Sequence, residues 1–146
     1  MRQLGTTLDF MRVLWALDHA LQSASKRMES TQGVTAPQRL VVRIVGRFPG
    51  ISAGELAEVL HLHPSTLTGV LKRLVARGIV ARGADPRDGR RALLALTARG
   101  RRVDAMKSGT VEASVRRALK DSSPASVRSA RELVERLAAE LARLGG

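Results

Sequence analysis

The sequence predicts a mostly helical chain carrying one small β-hairpin, with a compact lobe between two terminal helical segments. Three observations carry that reading. Apolar residues recur at alternating steps of three and four over much of the 146 positions, as they do on helices that bury one stripe. Between Ile79 and Thr97 this rhythm stops, and two short β-prone runs, IVAR and ALLALT, flank a stretch dense in Asp, Arg, Pro and Gly, the pattern of a hairpin. After Thr97 the helical rhythm returns and continues almost to the C-terminus.

Start and stop residues set the elements in order. Phe10, Leu14, Leu17, Leu21, Ala24 and Met28 lie in one stripe and predict a long first helix with a packing seam. Thr35 followed by Gln38 is a capping-box pattern, and Pro37 suits a first turn. Leu40, Val41, Ile44, Val45 and Phe48 then form the expected buried face of a second helix, which Pro49 and Gly50 end. Ser52 and Glu55 repeat the capping pattern and open a short helix through Leu56, Ala57 and Leu60. It must stop near His63, because the residue before Pro64 is pushed out of the helical region. Another helix starts at once, burying Leu67, Val70, Leu71, Leu74 and Val75 and ending at Gly78, where a helix C-terminal glycine belongs. Two short helices joined by a tight turn and followed by a hairpin make a winged helix-turn-helix lobe. Thr97 is expected to cap a helix extending toward Leu119. Ser123 and Pro124 open the last one, with Val127, Ala130, Val134, Leu137, Leu141 and Leu144 as its seam.

Composition narrows the function classes. With 44% hydrophobic residues the chain can bury a core, which sets disorder aside. The absence of cysteine excludes a disulfide framework, a thiolate zinc site and a thiol oxidant sensor, and it fits a cytoplasmic location. The apolar run from Phe10 to Leu17 is interrupted by Arg12 and is too short to span a bilayer, so no membrane role is expected. No nucleophile with its base, carboxylate pair, metal cluster or phosphate loop stands at motif spacing, so no catalytic residue and no cofactor is assigned. His61 and His63 form an H-x-H pair without a cysteine or an acidic third ligand beside them, too little for a metal site.

Charge points to a polyanion. The chain carries 25 basic and 13 acidic residues, a net +12, and the window from Lys72 to Arg102 holds ten basic and two acidic side chains, a local +8. Cations concentrated on a helix-turn-helix and its hairpin are the footprint of a phosphate backbone. On the helix after Pro64 the face opposite the apolar stripe presents Ser65, Thr66, Thr68 and Gly69, then Lys72 and Arg73. Hydroxyls near a helix N-terminus can meet base edges or phosphates, with the cations one turn further along. His63, at the turn before this helix, could reach a phosphate, and its protonation would then strengthen binding. Within the charged turn, Arg90 is the expected tip residue entering a minor groove, Asp88 the acid that orients it and Gly89 the residue that allows the tight turn. Arg87 and Arg91 add to the same surface.

The terminal seams exceed what the central lobe can cover, so they predict packing against a second copy, a homodimer. The alternative is that they cover the lobe within one chain. The expected organisation is residues 1–34 as an N-terminal dimerisation helix, 35–99 as the winged helix-turn-helix DNA-binding lobe and 100–146 as C-terminal dimerisation helices. Two other function classes stay open beside a sequence-specific regulator. One is an architectural protein that binds DNA without sequence preference; the other is a winged-helix module that binds an acidic protein.

STLTGVLKRLVARGIVAR and DPRDGRRALLALTARG, between Ser65 and Gly100, resemble the recognition helix and wing of the MarR-type winged-helix transcriptional regulators. The resemblance includes the D-G-R turn at Asp88 to Arg90 and the L-T-x-x-G exit at Leu96 to Gly100. It implies a dimer with interlocked terminal helices, reading a pseudo-palindromic operator on double-stranded DNA through Ser65, Thr66, Thr68 and Lys72. Gly69 departs from the larger or basic side chains that relatives often carry there, so one base contact is expected to be absent or moved. The resemblance also implies a repressor released by a small aromatic or anionic effector bound between the dimer helices and the DNA lobe. Trp15 and His19, one turn apart on the first helix, and Arg39 and Arg43 on the second, are the candidates by position. A regulator of this type without a ligand is the alternative.

Overall fold

The computed structural model describes residues 2–145, so the two end positions of the expected segments, 1 and 146, lie outside them. Helix α1 spans Thr6–Gln32 and ends at Gly33, whose φ of 81° is the left-handed conformation that glycine adopts without strain. Of α1 only Met28 is buried; Phe10, Leu17 and Leu21 of the expected seam stand exposed, as do Met11, Val13 and Trp15 beside it. Helix α2, Ala36–Arg47, begins with a complete capping box. The Gln38 N–H donates to Thr35 Oγ1 at 3.3 Å, and the Thr35 N–H donates to Gln38 Oε1 at 3.0 Å.

The buried face of α2 is rotated from the expected one. Gln38, Arg39, Val41, Val42 and Val45 are buried, whereas Leu40 and Phe48 are exposed and Ile44 is half-buried. Phe48 lies beyond the helix end at the C-cap, with the Arg47 guanidinium 5.9 Å from its ring centre. After a turn through Gly50 (φ 87°), strand β1, Ile51–Ser52, leads directly into helix α3, Ala53–Leu60. Ser52 ends the strand and caps the helix, its Oγ accepting the Glu55 N–H at 3.1 Å. His61 closes α3 in the left-handed region at φ 53°, the one non-glycine residue with positive φ among those described. Helix α4, Pro64–Ala76, follows, and Gly78 reverses the chain at φ 68° as its position predicts.

Strands β2, Val80–Asp85, and β3, Asp88–Leu96, form the hairpin, and β1 adds to it in the order β1-β3-β2, all antiparallel. The β2–β3 ladder runs from Val80 opposite Leu96 to Ala84 opposite Ala92. Leu94 is buried at its centre, opposite Arg82 on one side and Ile51 on the other. One core joins Val41, Val42 and Val45 of α2 to Leu56 of α3, Leu67, Leu71 and Leu74 of α4, and Ile79, Val80 and Leu94 around the sheet.

The single helix expected from Thr97 toward Leu119 is two. Helix α5 covers Ala98–Ala105 and helix α6 Val111–Leu119, because Met106 turns extended and Gly109 takes φ 70° between them. Thr97 does cap α5, accepting the Gly100 N–H at 3.0 Å. Its hydroxyl also donates to the Gly78 and Ile79 carbonyls, and its own N–H reaches Ile79 O at 3.1 Å. Gly46 lets α2 lie close to α5: a Cβ there would fall 2.5 Å from Asp104 Oδ2. The chain divides into two units, Met1–Val111 and Glu112–Gly146. The second contains helix α7, Pro124–Arg143, capped by Ser123 as expected and carrying no buried residue; Leu133, Val134 and Leu141 are exposed on it. Among the described residues no helix is long and apolar enough to cross a membrane.

Candidate nucleic-acid interface

The face of α4 left over after core packing is the polar one. Leu67, Leu71 and Leu74 are buried, while Ser65, Thr66, Thr68, Gly69, Lys72 and Arg73 are all exposed. Thr68 Oγ1 donates back to the Pro64 carbonyl at 2.8 Å, which fixes its rotamer and leaves its lone pairs outward. Gly69 has open space around it: a Cβ would meet nothing within 4 Å. The missing side chain is therefore not a packing requirement.

His61 and His63 serve helix ends. His61 is the C-cap of α3, and His63 is the N-cap of α4. His63 Nδ1 accepts the Ser65 N–H at 3.1 Å and lies 2.7 Å from Ser65 Oγ. An Nδ1 that accepts carries no proton, so the neutral ring holds its hydrogen on Nε2, which makes that nitrogen the donor available to a phosphate. Replacing His63 with Ala should lower stability by about 1 kcal/mol, the usual value of an N-cap. A His63→Asn variant should retain it, and urea unfolding of the two against the parent decides the matter. Equal midpoints for all three would remove the capping role.

At the end of the hairpin the turn is built by Pro86 and Arg87, with Asp85 opposite Asp88. This corrects the expectation that Arg90 and Gly89 form the tip. Pro86 supplies the fixed φ of a turn's second position, and Asp85 Oδ1 accepts the Arg87 N–H at 2.8 Å, a side-chain mimic of a turn hydrogen bond. Gly89 lies in β3 without a positive φ. The ladder passes from the Asp85–Asp88 pair directly to Ala84–Ala92, so Gly89, Arg90 and Arg91 form a bulge that faces no residue of β2. Arg90 projects from this bulge with its side chain 95% exposed, and Asp88 orients it. Asp88 Oδ1 accepts the Arg90 N–H at 3.0 Å and lies 3.5 Å from Arg90 Nε.

Arg91, in the same bulge, turns the other way. Its Nη2 donates to Ser52 Oγ at 3.2 Å and to Glu55 Oε1 at the start of α3. Ser52 and Glu55 carried a capping signal in the sequence; their contact with the hairpin, more than thirty residues away, left no local trace.

The four effector candidates separate. Trp15 is 65% exposed and His19 is exposed, both on α1. Arg39 is 3% exposed and points inward, where its guanidinium donates to the Val103 and Met106 carbonyls at the end of α5. Both carbonyls lie at the C-terminal end of α5, where the Val103 oxygen otherwise meets only the Met106 N–H, so the buried Arg39 guanidinium closes α5 rather than offering a surface to an anion. Arg43 pairs with Asp104 on the same helix, Nη1 to Oδ1 at 2.8 Å.

Comparison with known proteins bears on the family and the fold. The sequence model of the MarR family matches residues 32–91, from the end of α1 to the bulge. The HTH-type transcriptional repressor Rv2887 of Mycobacterium tuberculosis is 32% identical over 111 residues, which cover 76% of this chain and 80% of that protein. The PcaV transcriptional regulator of Streptomyces coelicolor, solved in complex with its natural ligand, is 27% identical and superposes with a TM-score of 0.72. That match covers 95% of this chain and 96% of PcaV. A crystal structure of MarR itself, 25% identical, superposes at 0.62 over 94% of this chain and 99% of its own. With its capped recognition helix, its hairpin wing and relatives covered over most of their length, the chain belongs to the MarR family of winged-helix transcriptional regulators, DNA-binding proteins without catalytic activity.

Proposed function

We propose that this protein is a homodimeric repressor that reads a pseudo-palindromic operator on double-stranded DNA in the cytoplasm. The observation that carries the proposal is the division of α4: three leucines commit one face to the core, and the other presents Ser65, Thr66, Thr68, Lys72 and Arg73 to solvent. This face would lie in the major groove, with His63 donating from Nε2 to a phosphate beside it. Arg87 and Arg90, held by Asp85 and Asp88, would enter the neighbouring minor groove. Dimerisation is supported by apolar surface that the single chain leaves uncovered on α1 and, separately, on α7. The names of Rv2887 and PcaV support regulation, and PcaV's complex with its natural ligand supports a small-molecule effector, which we take to be aromatic or anionic and to release the DNA. Trp15 and His19, exposed on α1, and Arg43, paired with Asp104, are the proposed contacts for such a molecule. A coupling of about 1–3 kcal/mol would change operator affinity roughly 5- to 150-fold.

Selection of bound fragments from the source genome tests this reading, followed by salt titration on the recovered duplex. The expected result is a preference of at least about 10³ over scrambled duplex. Affinity should fall with salt at a log–log slope of about −0.9 for each phosphate neutralised. Equal affinity for every duplex would make the protein architectural, and a slope near zero would point to an acidic protein as its partner.

A further inference from the structure

We infer that Arg91 is a positioning residue, clamped by Ser52 and Glu55, and that this clamp holds the bulge carrying Arg90 and the turn carrying Arg87 in their binding pose. The inference rests on the DNA-binding reading above, and it removes Arg91 from the residues that touch DNA. Residues 89–91 lack ladder partners on β2, and on the other side β1 ends at the Ser52–Leu93 rung. The backbone hydrogen bonds that fix a strand therefore stop short of Arg91 on both sides. A two-stranded ribbon end of this kind is marginal by itself. In place of a rung, Arg91 Nη2 reaches Ser52 Oγ at 3.2 Å together with the Glu55 carboxylate.

Ser52 is buried, and its Oγ also accepts the Glu55 N–H at 3.1 Å, so one hydroxyl joins the helix cap to the wing. The comparison with α2 shows that Glu55 has been diverted. In that helix the Gln38 side chain returns to the cap residue's own N–H and completes the box. In α3 the serine accepts from the Glu55 backbone, while the Glu55 carboxylate faces Arg91 instead. Electrostatics sharpens the point. An acid on a strongly cationic lobe repels phosphate, so charge alone predicts that neutralising Glu55 tightens DNA binding. A clamp predicts the opposite sign.

Glu55→Gln, Arg91→Gln and the double variant of the full chain, each titrated at one salt concentration against the duplex recovered by selection, test the proposal. Amide hydrogen exchange of residues 87–91 is followed in the same proteins without DNA. Each single variant should bind about five- to tenfold more weakly, and the double no more weakly than the worse single, as members of one coupled pair behave. Exchange at residues 87–91 should quicken in all three. Tighter binding by Glu55→Gln alongside weaker binding by Arg91→Gln would make Arg91 a phosphate contact and overturn the clamp. Unchanged exchange at the wing would overturn it as well. Should the parent bind no duplex, the DNA reading falls, and exchange in the free protein alone decides whether Ser52 and Glu55 hold the wing.

Discussion

Replacing Gly100 with alanine is expected to lower the stability of this protein by about 3 kcal/mol, at the upper end of what overpacking costs. Gly100 lies in the first turn of α5, where an added Cβ would fall 2.1 Å from the Ile79 carbonyl oxygen and 3.2 Å from its carbon. Neither party can yield cheaply. The Ile79 oxygen accepts both the Thr97 N–H and the Thr97 hydroxyl, and the Gly100 N–H is held by Thr97 Oγ1. Moving the helix away would break the cap, and moving the strand would disturb Ile79 and Val80, both buried. This contact explains the L-T-x-x-G pattern physically: the threonine ties the end of the hairpin to the start of the helix, and the glycine leaves room for the crossing. Gly83→Ala serves as the control, since a Cβ there meets nothing within 4 Å. Urea midpoints should be compared at one protein concentration, because association adds to apparent stability. A Gly100→Ala midpoint equal to that of the control would show that the crossing is looser than described.

Arg90→Ala should weaken operator binding about ten- to a hundredfold while leaving the unfolding midpoint nearly unchanged. With its side chain 95% exposed and one long contact to Asp88, Arg90 contributes little to the fold. A cation placed in a narrow minor groove contributes far more, and each lobe of a dimer would lose one. Arg87→Ala should act in the same direction, because the turn carries it at the extremity of the hairpin. The measurement is a DNA titration of both variants at fixed salt, paired with urea unfolding. Parental affinity in both variants would mean that the wing does not touch DNA.

Local chemistry made most of the elements legible in the sequence. Thr35 with Gln38, Ser52, Thr97 and Ser123 each cap the helix they predict, since a cap depends on residues three apart. The exposed face of α4 was legible for the same reason: one period of 3.6 residues settles it once the leucines are known. Non-local partners decided the rest. Which stripe of α2 turns inward depends on Arg39 meeting the Val103 and Met106 carbonyls at the end of α5, and no pattern within α2 announces that. At the hairpin, glycine suggested the turn, but the Asp85-Pro86 pair took it, because a fixed φ and an aspartate acceptor specify a turn more strongly than permissiveness does. The break between α5 and α6 rests on Met106, which turns extended, and on Gly109 with its positive φ, neither of which interrupts the apolar rhythm that suggested one helix.

The bulge at residues 89–91 has a consequence for how such a protein can change. An insertion or deletion within the ladder from Val80 to Ala84 would slip its register, sending apolar side chains to the wrong side of the sheet. Because Gly89, Arg90 and Arg91 have no partner on β2, a segment lengthened or shortened at Gly89 or Arg90 leaves every rung from Val80 to Ala84 intact, with Arg91 still able to reach Ser52. The reach of the wing can thus change without altering the buried architecture.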